Sequence, residues 1–324
     1  NCLACALEGG KVAWICKGKV IWEASLQGEI HVMEYIKPER LLVIGHGHNK
    51  LSAVDHQGQP VWDTQSKRIP TMLDSWELAH PQIISIRYVE TKKGSFILTG
   101  AGDNQIRVYN TKGEYIRYFN IRATVPDMID WVDIDLDGEP EVIAAGKVDS
   151  AYGMFYVNTI DGVSKKDLRT GFWLNTIQSY HFAFKDQKLI LVIGMKYQEN
   201  FKVLCIEQDS VKTHMEKRLG GIVKSVEMNE DFTEFYAGTS KGSVMAFDTK
   251  GKEKWNVYVE DNVKELYRKQ DHTIVLCESG KVSVISNEGK LIAQGNLPQN
   301  VDYCVSVQGE ILLVCGDTVY SIIY

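Results

Sequence analysis

Three observations on this sequence predict an all-β fold. Its apolar segments are short, roughly five to seven residues long, and turn residues separate them along all 324 residues. The segments belong to a pattern that repeats from one end of the sequence to the other. No stretch longer than ten residues shows helical periodicity, apart from a weak candidate at 70–80. Since the period of hydrophobicity is the main signal that separates strands from helices, we expect a succession of strands.

Four hairpins carry the repeat: AVDHQGQPVW (53–62), VYNTKGEYIR (108–117), AFDTKGKEKW (246–255) and VISNEGKLIA (284–293). In each, an apolar pair precedes a turn residue, and Gly follows three positions later. The short polar side chain opens the turn, and Gly provides the positive φ that closes it. Trp62 and Trp255 come seven residues after their turn residues. A strand that ends in Gly, such as LLVIG (41–45), precedes each hairpin.

First strands of the repeat recur near residues 29, 82, 126, 177, 221, 262 and 300, at intervals of 38 to 53 residues. Four strands fit each interval, which is typical of a β-propeller. The sequence therefore predicts a single domain over 1–324, an all-β, seven-bladed β-propeller with antiparallel blades. The last unit has room for three strands, so we expect the N-terminal strand 19–24 to close that blade and remove its open edge. An eighth blade that includes residues 1–7 is the alternative.

The hairpins with Asp-x-x-Gly followed by Trp resemble the repeats of PQQ-like β-propellers, a family that includes quinoprotein dehydrogenases and an outer-membrane-assembly lipoprotein. WD40-like propellers have a similar period. The resemblance covers nearly the whole sequence and implies the architecture. The quinone-binding residues of the enzymes have no identifiable counterparts here, so no PQQ cofactor is expected.

One segment, DWVDIDLDGEPEVIAAG (130–146), places several carboxylates inside an apolar hairpin. Alternate residues of a tight loop direct their oxygens inward, and Gly138 permits the bend, as in oxygen-ligand calcium loops. The spacing resembles the loops of FG-GAP and integrin-type propellers. It predicts a structural Ca²⁺ held by Asp133, Asp135, Asp137, the Glu139 carbonyl and Glu141. A solvated acidic turn is the alternative.

The connections between strands are long and polar in the early blades and short in the late ones. With the four strands of a blade labelled a to d, propellers usually bind on the face made by the d–a and b–c loops. The candidate ligand-binding residues there are Trp76, Asp103, Asp149, Tyr152, Trp173 and Tyr197. The candidate catalytic residues are His46, His48, His80 and Arg122. The three histidines could also hold a transition metal.

The candidate residues on this face are compatible with two functions. The first is a calcium-stabilised propeller that binds a protein, a peptide or a small ligand. The alternative is an enzyme with acid–base chemistry of the lyase, cyclase or isomerase type, in which a histidine acts as base and Arg122 stabilises an anion. A deep cleft with two histidines and an acid within hydrogen-bond reach would favour the enzyme.

Composition limits the classes of binding partner and the cellular compartments that we expect for this protein. The net charge is −6 without a basic run, so a nucleic-acid partner is not expected. No apolar segment is long enough to span a bilayer. Most of the seven cysteines lie in apolar segments, where a free cysteine behaves as a buried hydrophobe. This favours the cytoplasm, and a secreted or periplasmic location after signal removal stays open.

Overall fold

A computed structural model describes residues 2–7, 9–16, 19–66, 82–103, 105–121, 125–147, 154–169, 177–185, 188–195, 199–207, 210–298, 300–301, 303–307, 310–315 and 318–322. Strands, turns and bends account for the structure of these residues, with no helix among them. Accordingly, no helix that could cross a membrane is found within these ranges. The weak helix candidate at 70–80 lies outside the described residues.

The protein divides into two compact units, residues 1–173 and 174–324, and the prediction of a single domain stays a prediction. The first unit begins with a three-stranded sheet of β1 (Cys2–Leu7), β2 (Lys11–Cys16) and β3 (Lys19–Ser25). Its next sheet contains β4 (Ile30–Ile36), β5 (Leu41–His46), β6 (Lys50–Asp55) and β7 (Pro60–Gln65). The third contains β8 (Ile83–Thr91), β9 (Gly94–Ala101), β10 (Gln105–Asn110) and β11 (Tyr115–Asn120), and the fourth β12 (Val125–Val132), β13 (Glu141–Lys147), β14 (Met154–Thr159) and β15 (Ser164–Arg169).

The second unit has the same plan, with three four-stranded sheets and one of three strands. Its first sheet contains β16 (Ile177–Lys185), β17 (Lys188–Met195), β18 (Asn200–Glu207) and β19 (Ser210–Arg218). The next two contain β20 (Val223–Met228), β21 (Glu234–Thr239), β22 (Ser243–Asp248) and β23 (Glu253–Tyr258), then β24 (Val263–Arg268), β25 (His272–Cys277), β26 (Lys281–Ser286) and β27 (Leu291–Asn296). The last contains β28 (Tyr303–Val307), β29 (Glu310–Cys315) and β30 (Thr318–Ile322).

The seven predicted first strands are all present, as β4, β8, β12, β16, β20, β24 and β28. The predicted all-β propeller with seven such antiparallel units is confirmed. The place predicted for residues 19–24 is wrong, because β3 pairs with β2 and lies in a separate sheet from β28–β30. Residues 2–7, 11–16 and 19–25 instead form this three-stranded sheet locally. Within this sheet, Trp14 stacks on Trp22 with the ring centroids 5.9 Å apart.

Consecutive sheets of each unit pack face to face and bury the core between them. Val12 of the N-terminal sheet packs with Leu42 and Ile44 of the next, and Tyr109 packs with Val43 in the same manner one sheet later. The middle strands are thus covered on both faces, and Leu41–His46 is buried at every residue. This is why these strands appear in the sequence as continuous apolar runs.

The recurrent spacing of turn and tryptophan within the repeat reflects a contact between neighbouring sheets. Trp62 Nε1 donates a hydrogen bond to the Thr111 carbonyl oxygen at 3.0 Å, so the indole lies on the turn that contains Gly113. A Cβ on Gly113, whose φ is +77°, would lie 2.5 Å from Trp62 Cδ2. Equivalent contacts join Trp22 to the His56 carbonyl and Gly58, and Trp255 to the Asn287 carbonyl and Gly289. The turn glycine therefore also makes room for the indole of the preceding sheet.

The described cysteines include both free thiols and a disulfide-bonded one. Cys5 and Cys277 are buried free thiols, and burial raises the pKa of Cys5 to about 11 and that of Cys277 to about 12. This agrees with the interpretation of cysteines as buried hydrophobes. Cys16 departs from it, since it is disulfide-bonded, and Cys2 is the residue opposite Cys16 in the β1–β2 ladder.

Candidate functional site

Every four-stranded sheet begins with a β-bulge in its first strand. The register of β20 with β21 shifts between Val223 and Ser225, which leaves Lys224 as the extra residue. The same shift after the first or second residue occurs in β4, β8, β12, β16 and β24. The extra residues are His31, Ile84, Asp127, Gln178, Lys224 and Lys264. Bulges redirect side chains and are common next to functional sites. All six lie at the sheet end formed by the d–a and b–c connections, which we call the b–c end.

In the second unit, three of these bulge residues line one cavity of about 280 Å³. Its walls are Gln178, Ser179, Lys224, Lys264, Glu265 and Glu278, and we call it the Lys224 cavity. The first five residues lie on β16, β20 and β24, and Glu278 directly follows β25. Three adjacent first strands therefore hold the polar groups in place.

Charged groups of both signs meet in the Lys224 cavity. Lys224 Nζ lies 3.1 Å from Glu278 Oε1, and Lys264 Nζ donates to the Val301 carbonyl oxygen. Glu265 accepts a hydrogen bond from Ser225 Oγ at 2.7 Å. Burial raises the pKa of Glu265 to about 7, because desolvation of its carboxylate outweighs the Ser225 hydrogen bond. Near neutral pH, Glu265 therefore exchanges between a neutral and a charged form.

A larger cavity of about 560 Å³ lies at the opposite end of the same sheets, where the a–b connections are. Several of its side chains pair with one another. His181 Nδ1 lies 2.8 Å from Glu227 Oε2, and Arg268 Nη2 donates to Asn287 Oδ1 at 2.6 Å. The Arg268 guanidinium also lies 4.8 Å from the centre of the Tyr236 ring. The His181–Glu227 and Arg268–Tyr236 contacts join neighbouring sheets. We take the Lys224 cavity, where three bulge residues converge, as the candidate site.

Among the predicted catalytic histidines, the structure describes two. His46 is buried, its Nδ1 lies 2.9 Å from the Gln27 carbonyl oxygen, and its Nε2 lies 2.7 Å from Ser52 Oγ. Both ring nitrogens are thus engaged inside the protein, which gives His46 a structural role. His48 is exposed in the following turn, so the two imidazoles do not share one side as an extended strand would have placed them.

Asp103 is the one predicted ligand-binding residue that the structure describes. It lies in the b–c connection of its sheet and forms an ion pair with Arg107, at 3.1 Å from Oδ1 to Nη1. Arg107 is fully buried, so Asp103 neutralises a core charge. The other candidates lie outside the described residues and stay predictions: Trp76, His80, Arg122, Asp149, Tyr152, Trp173 and Tyr197.

The acidic loop lies between β12 and β13, at the a–b end of its sheet. Carboxylate oxygens of Asp133, Asp135 and Glu141 lie within 4.8 Å of one another. Glu141 is buried, and its Oε2 accepts the Ile134 N–H at 3.1 Å. Asp133 Oδ2 accepts the Gly138 N–H at 2.8 Å, whereas its buried Oδ1 has no hydrogen-bond partner among the described residues. The three carboxylates and this oxygen suit a hard cation.

Lys165 of β15, which sequence reasoning did not select, reaches into the same loop. Its Nζ lies 2.6 Å from Glu141 Oε1, 2.7 Å from Asp135 Oδ2 and 3.5 Å from Asp137 Oδ2. Desolvation opposes the charge on Lys165, but the bonds to Asp135 and Glu141 outweigh it and raise its pKa. Asp137 also accepts the Glu139 N–H at 2.8 Å, and this bond holds the pKa of Asp137 below its usual range. The lysine therefore acts as an internal counter-ion.

A protein-family model described as "Outer membrane protein assembly factor BamB" matches residues 159–322, which is more than half of the sequence. Among curated proteins, no sequence matches. Solved structures match over most of the protein at low identity. BamB from Moraxella catarrhalis shares 15% identity, with a TM-score of 0.68, over 98% of this protein and 89% of that one.

Two further neighbours were solved with protein partners. Chaetomium thermophilum Sqt1, bound to the N-terminus of the ribosomal protein L10, has a TM-score of 0.73 and 12% identity over 100% of this protein and 92% of that one. BBS1N in complex with ARL6DN has a TM-score of 0.60 and 14% identity, over 90% of this protein and 89% of that one. At these identities the similarity establishes the fold.

Proposed function

Because the protein belongs to the PQQ-like β-propeller family described as outer membrane protein assembly factor BamB, we propose that it is a module that binds a protein partner at the b–c end of its sheets. The observation that carries the proposal is the Lys224 cavity. There, three consecutive bulges direct polar side chains into one recess. A cavity with a few convergent polar groups is the usual form of a recognition site.

The structural neighbours support a protein as the partner. Sqt1 was solved with the N-terminus of a ribosomal protein, and BBS1N with ARL6DN. The b–c end of the first unit, described by itself, carries His48 and Asp103. The enzymatic alternative gains no support from His46, whose nitrogens are both engaged.

Site-specific photo-cross-linking tests the protein-binding function. A photoreactive amino acid replaces the exposed Gln178 at the rim of the Lys224 cavity, or Lys250 in the turn between β22 and β23 at the other end of a neighbouring sheet. We expect discrete cross-linked products from position 178, suppressed by excess unlabelled wild-type protein, and few from position 250. Equal labelling from both positions would contradict a partner surface at the b–c end.

We further propose that the acidic loop binds Ca²⁺ through Asp133, Asp135, Asp137, the Glu139 carbonyl and Glu141, and that the ion stabilises the fold. The convergence of Asp133, Asp135 and Glu141 supports this, as does the buried oxygen of Asp133 that lacks a hydrogen-bond partner among the described residues. Lys165 Nζ contacts the same carboxylates. The ion and the ammonium group therefore compete, and Lys165 must move aside when Ca²⁺ binds.

Calorimetry of Lys165→Met with EDTA and with Ca²⁺ tests this competition. In EDTA the variant should lose about 1–3 kcal/mol of unfolding free energy, because Glu141 is left buried without its cation. Excess Ca²⁺ should restore the loss and stabilise the variant more than the wild type, since it binds the native state without a competitor. Lys112→Met, in an exposed turn of another sheet, is the control. A melting temperature that Ca²⁺ changes in neither protein would rule the ion out.

A further inference from the structure

Resting on the protein-binding function above, we propose that the Lys224 cavity binds a carboxylate group presented by the partner. The group is either the C-terminus of a polypeptide or the side chain of Asp or Glu. The inference comes from the hydrogen-bonding state of the groups that line the cavity, from their charge and from the size of the recess.

Several hydrogen-bond donors converge on the recess. Among the described residues, Lys224 makes one hydrogen bond, to Glu278, and an ammonium group has three N–H donors. Ser179 Oγ accepts the Val226 N–H at 3.1 Å, so its own hydroxyl hydrogen is left to donate. Gln178 is exposed at the rim, and its amide adds two N–H donors. A ligand group that only accepts hydrogen bonds fits this arrangement.

Both carboxylates of the recess accept hydrogen bonds from neighbouring side chains. Glu278 accepts from Lys224 and from Asn262 Nδ2, and Glu265 accepts from Ser225 Oγ. Lys224, Lys264 and Glu278 together carry one net positive charge while Glu265 is neutral. An anion would therefore be bound by charge-assisted hydrogen bonds, which are roughly twice as strong as neutral ones. A volume of about 280 Å³ is small for a whole ligand and suits one terminus or side chain.

Glu265 makes the affinity depend on pH. The charged groups that face it are Glu227 from β20, Lys264 beside it on β24, and Lys224 and Glu278 across the recess. When Glu265 ionises above about pH 7, its charge repels a bound carboxylate and cancels the net positive charge. The affinity for a carboxylate should therefore fall as the pH rises from 6 to 8.

Binding of small probes to the purified protein tests the inference. N-acetyl-glycylglycine presents a terminal carboxylate, N-acetylglutamate diamide lacks any carboxylate, and N-acetylglutamate α-amide presents only the side-chain one. NMR titration should show binding of one or both carboxylate probes and none of the diamide. Lys224→Met should weaken binding at least tenfold, whereas Lys250→Met, in the turn between β22 and β23, should not change it. Glu265→Gln should remove the pH dependence.

The outcomes separate this inference from the function on which it rests. If cross-links form at position 178 but neither carboxylate probe binds better than the diamide, the partner surface stands and the carboxylate inference is overturned. It is also overturned if Lys224→Met binds the probes as the wild type does. If the probes bind as expected but position 178 gives no cross-links, the recess is an anion site and the protein-binding function is wrong.

Discussion

Gly113→Ala is expected to lower the free energy of unfolding by about 2–5 kcal/mol. The backbone at Gly113 has a φ of +77°, and an L-residue with a side chain pays about 1–2 kcal/mol for that conformation. The new Cβ would also lie 2.5 Å from Trp62 Cδ2. Overpacking of this kind typically adds about 1–3 kcal/mol. The indole joins two sheets, so disturbing it should destabilise the packing between them. Equilibrium urea unfolding measures this loss of stability.

The control for this substitution separates the two causes. Gly220 has a φ of +73° and no atom within 4 Å of an added Cβ, so Gly220→Ala carries the backbone cost alone. We expect its destabilisation to be about half that of Gly113→Ala or less. Equal losses for the two variants would mean that the indole contact contributes little and that the repeat needs glycine only for the turn.

Glu265→Gln is expected to stabilise the protein at pH 8 and to leave its stability nearly unchanged at pH 4. The pKa of Glu265 is raised by burial from 4.5 to about 7, so the folded state holds the proton where the unfolded state has released it. Stability is therefore lost as the pH rises from about 4.5 to 7, and the loss is complete above that range. The difference between these two pKa values corresponds to a loss of about 3 kcal/mol in the free energy of unfolding.

The measurement is the difference in unfolding free energy between Glu265→Gln and wild type from pH 4 to pH 8. The difference cancels the titration of all other groups, so it isolates Glu265. A curve that rises with pH in favour of the variant, by up to about 3 kcal/mol, would confirm an ionisable buried carboxyl. If the difference in unfolding free energy does not change with pH, Glu265 stays charged and solvated. That result would contradict the pH dependence expected for carboxylate binding.

The repeat predicted the fold because its signals are local. The Asp55 side chain accepts the Gln57 N–H and Gly58 has a positive φ, so these two residues define the turn locally. The apolar runs follow from sheets that are covered on both faces. The pairing of residues 19–24 was predicted from the global requirement to close an edge. In the structure, local pairing with β2 and the stacking of Trp14 on Trp22 decide its position.

The candidate site was predictable only in part. Binding at the b–c end could be predicted because the connections between strands lie alternately at the two ends of each sheet. Cation binding by the acidic loop could be predicted from the spacing of its carboxylates. His46 was a predicted catalytic residue because of its residue type. It ends a buried strand, where its ring nitrogens form hydrogen bonds with the Gln27 carbonyl oxygen and Ser52 Oγ. Lys224 and Glu265 look like ordinary strand residues. The register shift that redirects Lys224 into the cavity appears only when β20 is aligned with β21.

Affinity for the cross-linked partner, measured for two charge-reversal variants of one sheet, tests the central claim most directly. Lys224→Glu reverses a charge at the b–c end, and Lys250→Glu makes the same change in the turn between β22 and β23. If the partner binds in the Lys224 cavity, the first variant should bind at least tenfold more weakly, and the second should bind as the wild type does. Equal affinity of both variants for the partner would contradict a binding site at the b–c end.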